Sequence, residues 1–289
     1  MLELLFKSKR DASNLQKRAN DSGFISSFHE TLFQNQQHYI ISINKPYTND
    51  ERQQLIKSIC DFLLSEKCME WASSILTDYY YYEDSDEIGQ IMEIILGMRL
   101  GERPELTELL EEWGEREFVE ENVEMLLESR EPVSFDSWSK FRLKKLQDRQ
   151  MEYVELAIDE YKMEQEYQMF LHMLREYLST REQKKISIHL YSTPFGFRFF
   201  DEGFQELDRD QLLAYMDKRL LTNHPLYVDS YTIAPLLSLA PEKIFVYSDD
   251  HEQNLIRTLQ NIFEERVNLL PLRYFPESFL YTSLDAANE

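Results

Sequence analysis

The sequence predicts a predominantly helical α+β fold, and three observations carry that expectation. Residues 134–182 contain neither Gly nor Pro and are rich in Leu, Met, Lys, Arg, Glu and Gln, residue types that lose little rotamer freedom in a helix. Short runs of strand character stand near both ends of the chain: MLELLF and HYIISIN early, ISIHLY, FRFF, KIFVYS and VNLLPL late. Between them, apolar residues recur at helical spacing. The expected organisation is an α/β segment over 1–47, an acidic all-helical subdomain over 48–182, and a C-terminal α/β segment over 183–289 that packs with the first. Two independent domains divided near Glu182 are the alternative.

Each element has a local reason. DASNLQKRANDSG reads as a helix closed by Gly23, and Thr48 or Asn49 can cap a helix in which Leu55, Ile59, Phe62 and Leu63 share a face. MEWASSILTDYYYY continues that helix or starts another. In DSDEIGQIMEIILGMRLG the apolar face is Ile88, Ile91, Ile95 and Met98, ended by Gly101. Pro104 suits the first turn of a helix through ELTELLEEWGEREFVEENVEMLLESRE. The stretch 134–182 then forms one long helix of roughly 70 Å at 1.5 Å per residue, or is broken at its polar middle, Glu164-Gln165-Glu166. Beyond it, Thr193-Pro194-Phe195-Gly196 makes a hairpin turn. Asp208 or Asp210 caps a short helix that ends before Asn223. The last sixty residues read helix, strand, helix, strand, a β-α-β pattern with short loops.

Charge and composition exclude several function classes. Lys+Arg of 31 against Asp+Glu of 53 gives a net charge of −22, which repels nucleic-acid backbones and anionic lipid. Between Glu83 and Glu131 there are 17 acidic and 4 basic residues, net −13. That run is a solvated helix face or a docking face for a basic partner, and Arg142, Lys144, Lys145 and Arg149 are its natural complement within the chain. The early basic residues Lys7, Lys9, Arg10, Lys17 and Arg18 read as a solvated face. No apolar run approaches the ~20 residues of a membrane helix, and MLELLFKSKRD lacks a signal peptide's apolar core, so a cytoplasmic location is expected. Cys60 and Cys68 lie about 12 Å apart along a helix, too far to bridge, and read as reduced thiols.

Two stretches stand out as candidate sites. Tyr79, Tyr80, Tyr81 and Tyr82, followed by Glu83 and Asp84, form an aromatic and acidic run. Four consecutive tyrosines on a helix point all round it, so some pack in the core and the rest are exposed, where an amphipathic ring makes a good interface anchor. A calcium loop starting at Asp84 fails, because Ile88 and Ile95 stand where oxygen ligands are required. Asp249, Asp250 and His251 follow a strand and precede a helix, a place where α/β sheets hold ligands. Asp250 with Gln253 also fits a capping box. His29-Glu30-Thr31-Leu32-Phe33 has Phe in place of a zincin's second His, and phosphate loops and nucleophile elbows are missing. No catalytic residue, cofactor or metal is therefore expected.

The stretches TDYYYYEDSDEIGQIMEIILG (77–97), FRLKKLQDRQMEYVELAIDEYKMEQEYQMFLHMLREYL (141–178), LAPEKIFVYS (239–248) and LIRTLQNIFEERV (255–267) resemble the YtxC-like family of endospore-forming bacteria. The resemblance implies a cytoplasmic protein connected with sporulation and carries over no catalytic residue. Some relatives have cysteines after the last strand, where this chain has Leu269, Leu270 and Pro271, so no metal role is carried over. The expected function is non-catalytic protein–protein interaction, with the acidic helices and the tyrosine cluster presented to a partner protein. A ligand or metal site near Asp249–His251 is the alternative, and pairing of the long helix with its own copy is a further expectation.

Overall fold

The structure, a computed structural model, describes residues 2–33, 36–44, 48–181, 185–215, 232–276 and 279. The fold is α+β and predominantly helical, and it divides into two compact units, 1–164 and 165–289. The first unit opens with strand β1 (Leu2–Phe6), helix α1 (Lys9–Asp21), and strands β2 (Ser26–Phe33) and β3 (Gln36–Ile43). Ser8 caps α1 by accepting from the Asp11 amide. Gly23, at φ 86°, ends it in the left-handed conformation that Gly adopts without a Cβ clash. The sheet order is β2-β3-β1-β4, where β4 (Val133–Ser134) runs parallel to β1. Strand β2 was not expected from the sequence. It lies at a sheet edge, and Ser27, His29, Glu30 and Leu32 are exposed, so it lacks the apolar alternation of a half-buried strand.

Helix α2 (Asn49–Phe62) starts with a complete capping box, in which Thr48 accepts from Glu51 N and Glu51 accepts from Thr48 N. The helix continues through a π-helical stretch, Leu63–Lys67, into α3 (Cys68–Ser74) and a second π stretch, Ile75–Tyr79. Buried Lys67 ties the first π stretch to α1, bonding Asp11 at 2.7 Å and Glu70 at 2.6 Å. Cys60 and Cys68 are both buried and unbridged, and burial pushes each thiol up to about 12. Helix α4 (Ser85–Leu100) ends at left-handed Gly101. The single helix expected after Pro104 is instead a four-residue turn, α5 (Pro104–Thr107), and α6 (Glu115–Leu127), because the chain leaves helical geometry after Thr107 and resumes it only at Glu115, past Gly114 at φ −72° and ψ 82°.

The stretch expected as one long helix is likewise two, α7 (Phe135–Arg142) and α8 (Lys144–Ser179), separated at buried Leu143 by non-helical φ −103° and ψ 23°. The polar middle, Glu164-Gln165-Glu166, does not break α8, although it is exposed. A first core gathers β1, α1, α2 and α6 around Phe135, whose ring lies 4.5 Å from Phe6 and 5.9 Å from Phe62. A second joins α3 and α4 to Val154, Ala157, Ile158 and Tyr161 of α8.

The second unit is built on a five-stranded sheet. Its strands are β5 (Ser187–Thr193), β6 (Gly196–Phe200), β7 (Glu206–Leu207), β8 (Lys243–Tyr247) and β9 (Val267–Leu270), in the order β7-β6-β5-β8-β9. The expected hairpin turn joins β5 to β6 through Thr193–Gly196, with Gly196 at φ 122°. Helix α9 (Arg209–Tyr215) is capped by Asp208, and its expected end near Asn223 lies outside the described residues. Helices α10 (Ile233–Leu239) and α11 (Asn254–Phe263) flank β8, and α11 with β8 and parallel β9 makes the expected β-α-β unit.

Alternation along the parallel strands gives this sheet two different faces. Ile188, Leu190, Ile244 and Val246 face α10, α11 and the end of α8 in an aliphatic core. His189, Phe245 and Tyr247 point the other way and meet Phe200, Phe204 and Phe275. His189 stacks on Phe245 with 4.9 Å between centroids, and its Nδ1 lies 3.0 Å from the Tyr247 hydroxyl. Strands β1 to β4 and strands β5 to β9 thus form separate sheets.

Phe135→Ala removes the ring at the centre of the first core and is expected to cost about 3–5 kcal/mol of stability, measured by denaturant unfolding. Burial holds the His189 imidazole below its ordinary 6.5, outweighing the opposite pull of Asp201 and Glu202. The unfolded chain then binds a proton that the folded one refuses. Stability is full above the unfolded value and falls as pH drops below about 6.5. Thermal unfolding between pH 7.5 and 5 should therefore show a steeper loss in the native chain than in His189→Phe.

Candidate functional site

The tyrosine run marks the end of a helix rather than a helical face. The π stretch stops at Tyr79, Tyr81 takes φ 58°, and Asp84 caps α4 by accepting from the Asp86 and Glu87 amides. This reversal sorts the four rings. Tyr80 and Tyr82 pack against the α3–α4–α8 core, whereas Tyr79 and Tyr81 are 62% and 78% exposed. A left-handed φ on a tyrosine costs of order 1 kcal/mol, held here by packing on either side. The Tyr80 hydroxyl donates to Glu155 Oε1 at 3.0 Å, and burial together with that carboxylate pushes its phenol up to about 12. Tyr161 donates likewise to Glu87.

Tyr79 also lines a cleft of about 650 Å³ between the α3–π helix and the first turns of α8. Its apolar floor comes from Trp71, Ile75 and Met151, and its rim carries Asp78, Asp148 and Glu152 beside Tyr79, Ser74 and Gln147. Helical spacing places these groups together: Trp71, Ile75 and Asp78 or Tyr79 fall at i, i+4 and i+7 or i+8, and Gln147 or Asp148 with Met151 and Glu152 repeat the pattern on α8. Apolar and acidic residues three apart, Ile75 with Asp78 and Asp148 with Met151, were the signal in the sequence, and only the meeting of two distant helices gives it meaning. The π stretch sits under the cleft, a feature that recurs at functional sites.

A buried charge network holds the cleft wall. Arg149, 7% exposed at its side chain, donates to Glu152 at 2.5 Å and to the Glu111 carbonyl, and its Nε lies 3.5 Å from Glu115 Oε1. Arg99 lies 3.6 Å from the other Glu115 oxygen and donates to the Leu64 carbonyl in the first π stretch. Arg99 and Arg149 also sit over the Tyr153 ring at 5.4 and 6.0 Å. Lys145 stands 4.2 Å over Trp113. The start of α8 therefore meets the acidic segment chiefly through Arg149 and Lys145.

Asp249, Asp250 and His251 lie at the C-terminal end of β8, in the second unit. Asp249 accepts from the Leu272 amide, Ser248 Oγ accepts from Asp250 N, and Asp250 accepts from Glu252 N. The carboxylates fasten the loop. The expected capping box is not formed, because α11 begins later, with Gln253 at the N-cap and no side-chain bond. His251 is exposed. Among the described residues no group of three or more His, Cys, Asp or Glu could hold a metal ion, and no helix is long and apolar enough to cross a membrane.

Residues 53–268 match the model of the YtxC-like family. The chain is 31% identical over 221 residues to the uncharacterized protein YtxC of Bacillus subtilis strain 168, covering 75% of this chain and 76% of that relative. No solved structure matches.

Among the described residues, Glu115 is the one carboxylate within ion-pair distance of both Arg99 and Arg149. Glu115→Ala leaves two mostly buried guanidinium groups less compensated and should destabilise the first unit by about 3 kcal/mol in denaturant unfolding. Glu115→Gln, which keeps the shape and some hydrogen bonding, should lose less.

Proposed function

The chain belongs to the YtxC-like family, and from that premise we propose that it is a non-catalytic protein–protein interaction factor of the cytoplasm, connected with sporulation. The observation that carries this reading is the exposed Tyr79 beside an apolar cleft with a carboxylate rim, all mounted on helices. A large ring on a rigid support is ordered before binding, so little entropy is lost when a partner covers it. The net charge of −22 argues against nucleic acid as that partner and in favour of a basic protein. The site at Asp249–His251 has no comparable support, since two of its three side chains already bind backbone amides.

The test is affinity purification of the tagged chain from growing and sporulating cells, with mass spectrometry of what accompanies it in stoichiometric amount. One abundant partner is expected, lost or strongly reduced when Tyr79→Ala and Tyr81→Ala are combined. Absence of any partner at both stages, or a partner retained undiminished by the double variant, would overturn the proposal.

A further inference from the structure

We infer that the cleft between the α3–π helix and α8 takes a basic amphipathic segment of a partner protein, seating an apolar side chain on Trp71, Ile75 and Met151 and placing flanking Lys or Arg against Asp78 and Asp148. The inference deepens the interaction reading above and rests on it. Three features select this occupant. The floor is apolar and half-exposed to water, so an apolar anchor seated there removes apolar surface from water on both partners. The lining contains three carboxylates and no Lys or Arg, so an acidic or neutral-polar segment would meet uncompensated negative charge at the rim. The groove runs between two helices, the geometry into which an amphipathic helix lays its i, i+3, i+4 face.

The three carboxylates are not equivalent. Glu152 is engaged by Arg149 at 2.5 Å, whereas Asp78 takes only the neighbouring Thr77 hydroxyl at 3.1 Å and Asp148 has no ion pair among the described residues. Asp78 and Asp148 therefore present the charge available to a ligand, one on each side of the groove. Tyr79 and Trp71 add ring faces on which a guanidinium can lie, so Arg flanks gain more than Lys flanks. A second copy of this chain, carrying its own net −22, would have to approach against its own charge.

Fluorescence anisotropy with the purified full chain tests this directly. The probes are three labelled synthetic peptides: an amphipathic helix with Leu and Phe anchors and Arg/Lys flanks, the same composition scrambled to destroy the face, and the same pattern with Glu flanks. The basic amphipathic peptide should bind, more weakly as salt rises, and the other two should bind at least about tenfold more weakly. Asp78→Lys combined with Asp148→Lys should weaken it by about tenfold or more, and Asp148→Asn alone by less, while Glu121→Lys, at an exposed position of α6, leaves it unchanged. Equal binding of the scrambled peptide, or equal loss in Glu121→Lys, would overturn the inference in favour of diffuse charge attraction. Sedimentation that shows a dimer abolished by the Asp78/Asp148 reversal would assign the groove to a second copy and overturn it too. A tyrosine-dependent partner captured from cells, with no peptide of either charge bound, would overturn the occupant alone and leave the interaction reading standing.

Discussion

The constraint on which the structure depends is the length of α8. A helix of 36 residues, about 54 Å at 1.5 Å per residue, outruns any single core of a small domain. Its buried residues accordingly fall in separate groups. Leu146 joins the core around Phe135, Val154 to Tyr161 join the core of α3 and α4, and Phe170 to Leu178 join the aliphatic core of the second sheet. Between Tyr161 and Phe170 the helix is mostly exposed, and the boundary between the two units falls there. Helix-favouring polar residues, Glu164-Gln165-Glu166, carry the chain through that exposed stretch, and Glu164 pairs with Arg103 at 3.1 Å.

The first unit uses its polar residues to hold long helices in register. Lys67 pins the first π stretch to α1, Arg99 takes the Leu64 carbonyl of the same stretch, and Glu115 sits between Arg99 and Arg149. Each π stretch adds a residue to the turn and rotates the next helical segment, so the end of the helix presents Trp71, Ile75 and Tyr79 toward α8. Buried ion pairs of this kind contribute little net stability, but removing one partner leaves a charge that water cannot reach. The cleft wall is therefore tied at several points by Arg99, Glu115 and Arg149.

Much of this was legible from local chemistry. A cap at Thr48 or Asn49, Gly23 and Gly101 at left-handed helix ends, Gly196 in the hairpin and the β8–α11–β9 unit follow from spacing and from conformations that few residues adopt; that Thr48 takes the cap, with Glu51 completing the box, is seen in the structure. The apolar faces of α2 and α4 were equally plain, as was the pairing of exposed with packed tyrosines. Other features depend on information no local window contains. Strand β2 shows little apolar alternation because it is an edge; the helix after Pro104 stops at Thr107 although acidic composition alone would continue it; and the parallel pairing of Leu4 with Val133 joins residues far apart in sequence. The cleft belongs to this second class. Asp78 and Asp148 are ordinary charged residues on their own helices, and become a rim only where α3 and α8 meet.

The central claim is that the groove between residues 71–79 and 147–152 is a docking surface for another protein. Hydrogen–deuterium exchange on the captured complex, compared with the free chain, tests it most directly, because exchange reports which backbone becomes protected. Slower exchange confined to 71–82 and 147–155 is the predicted result. Protection elsewhere, for instance around β8 and Asp249, with the groove unchanged, would contradict the account.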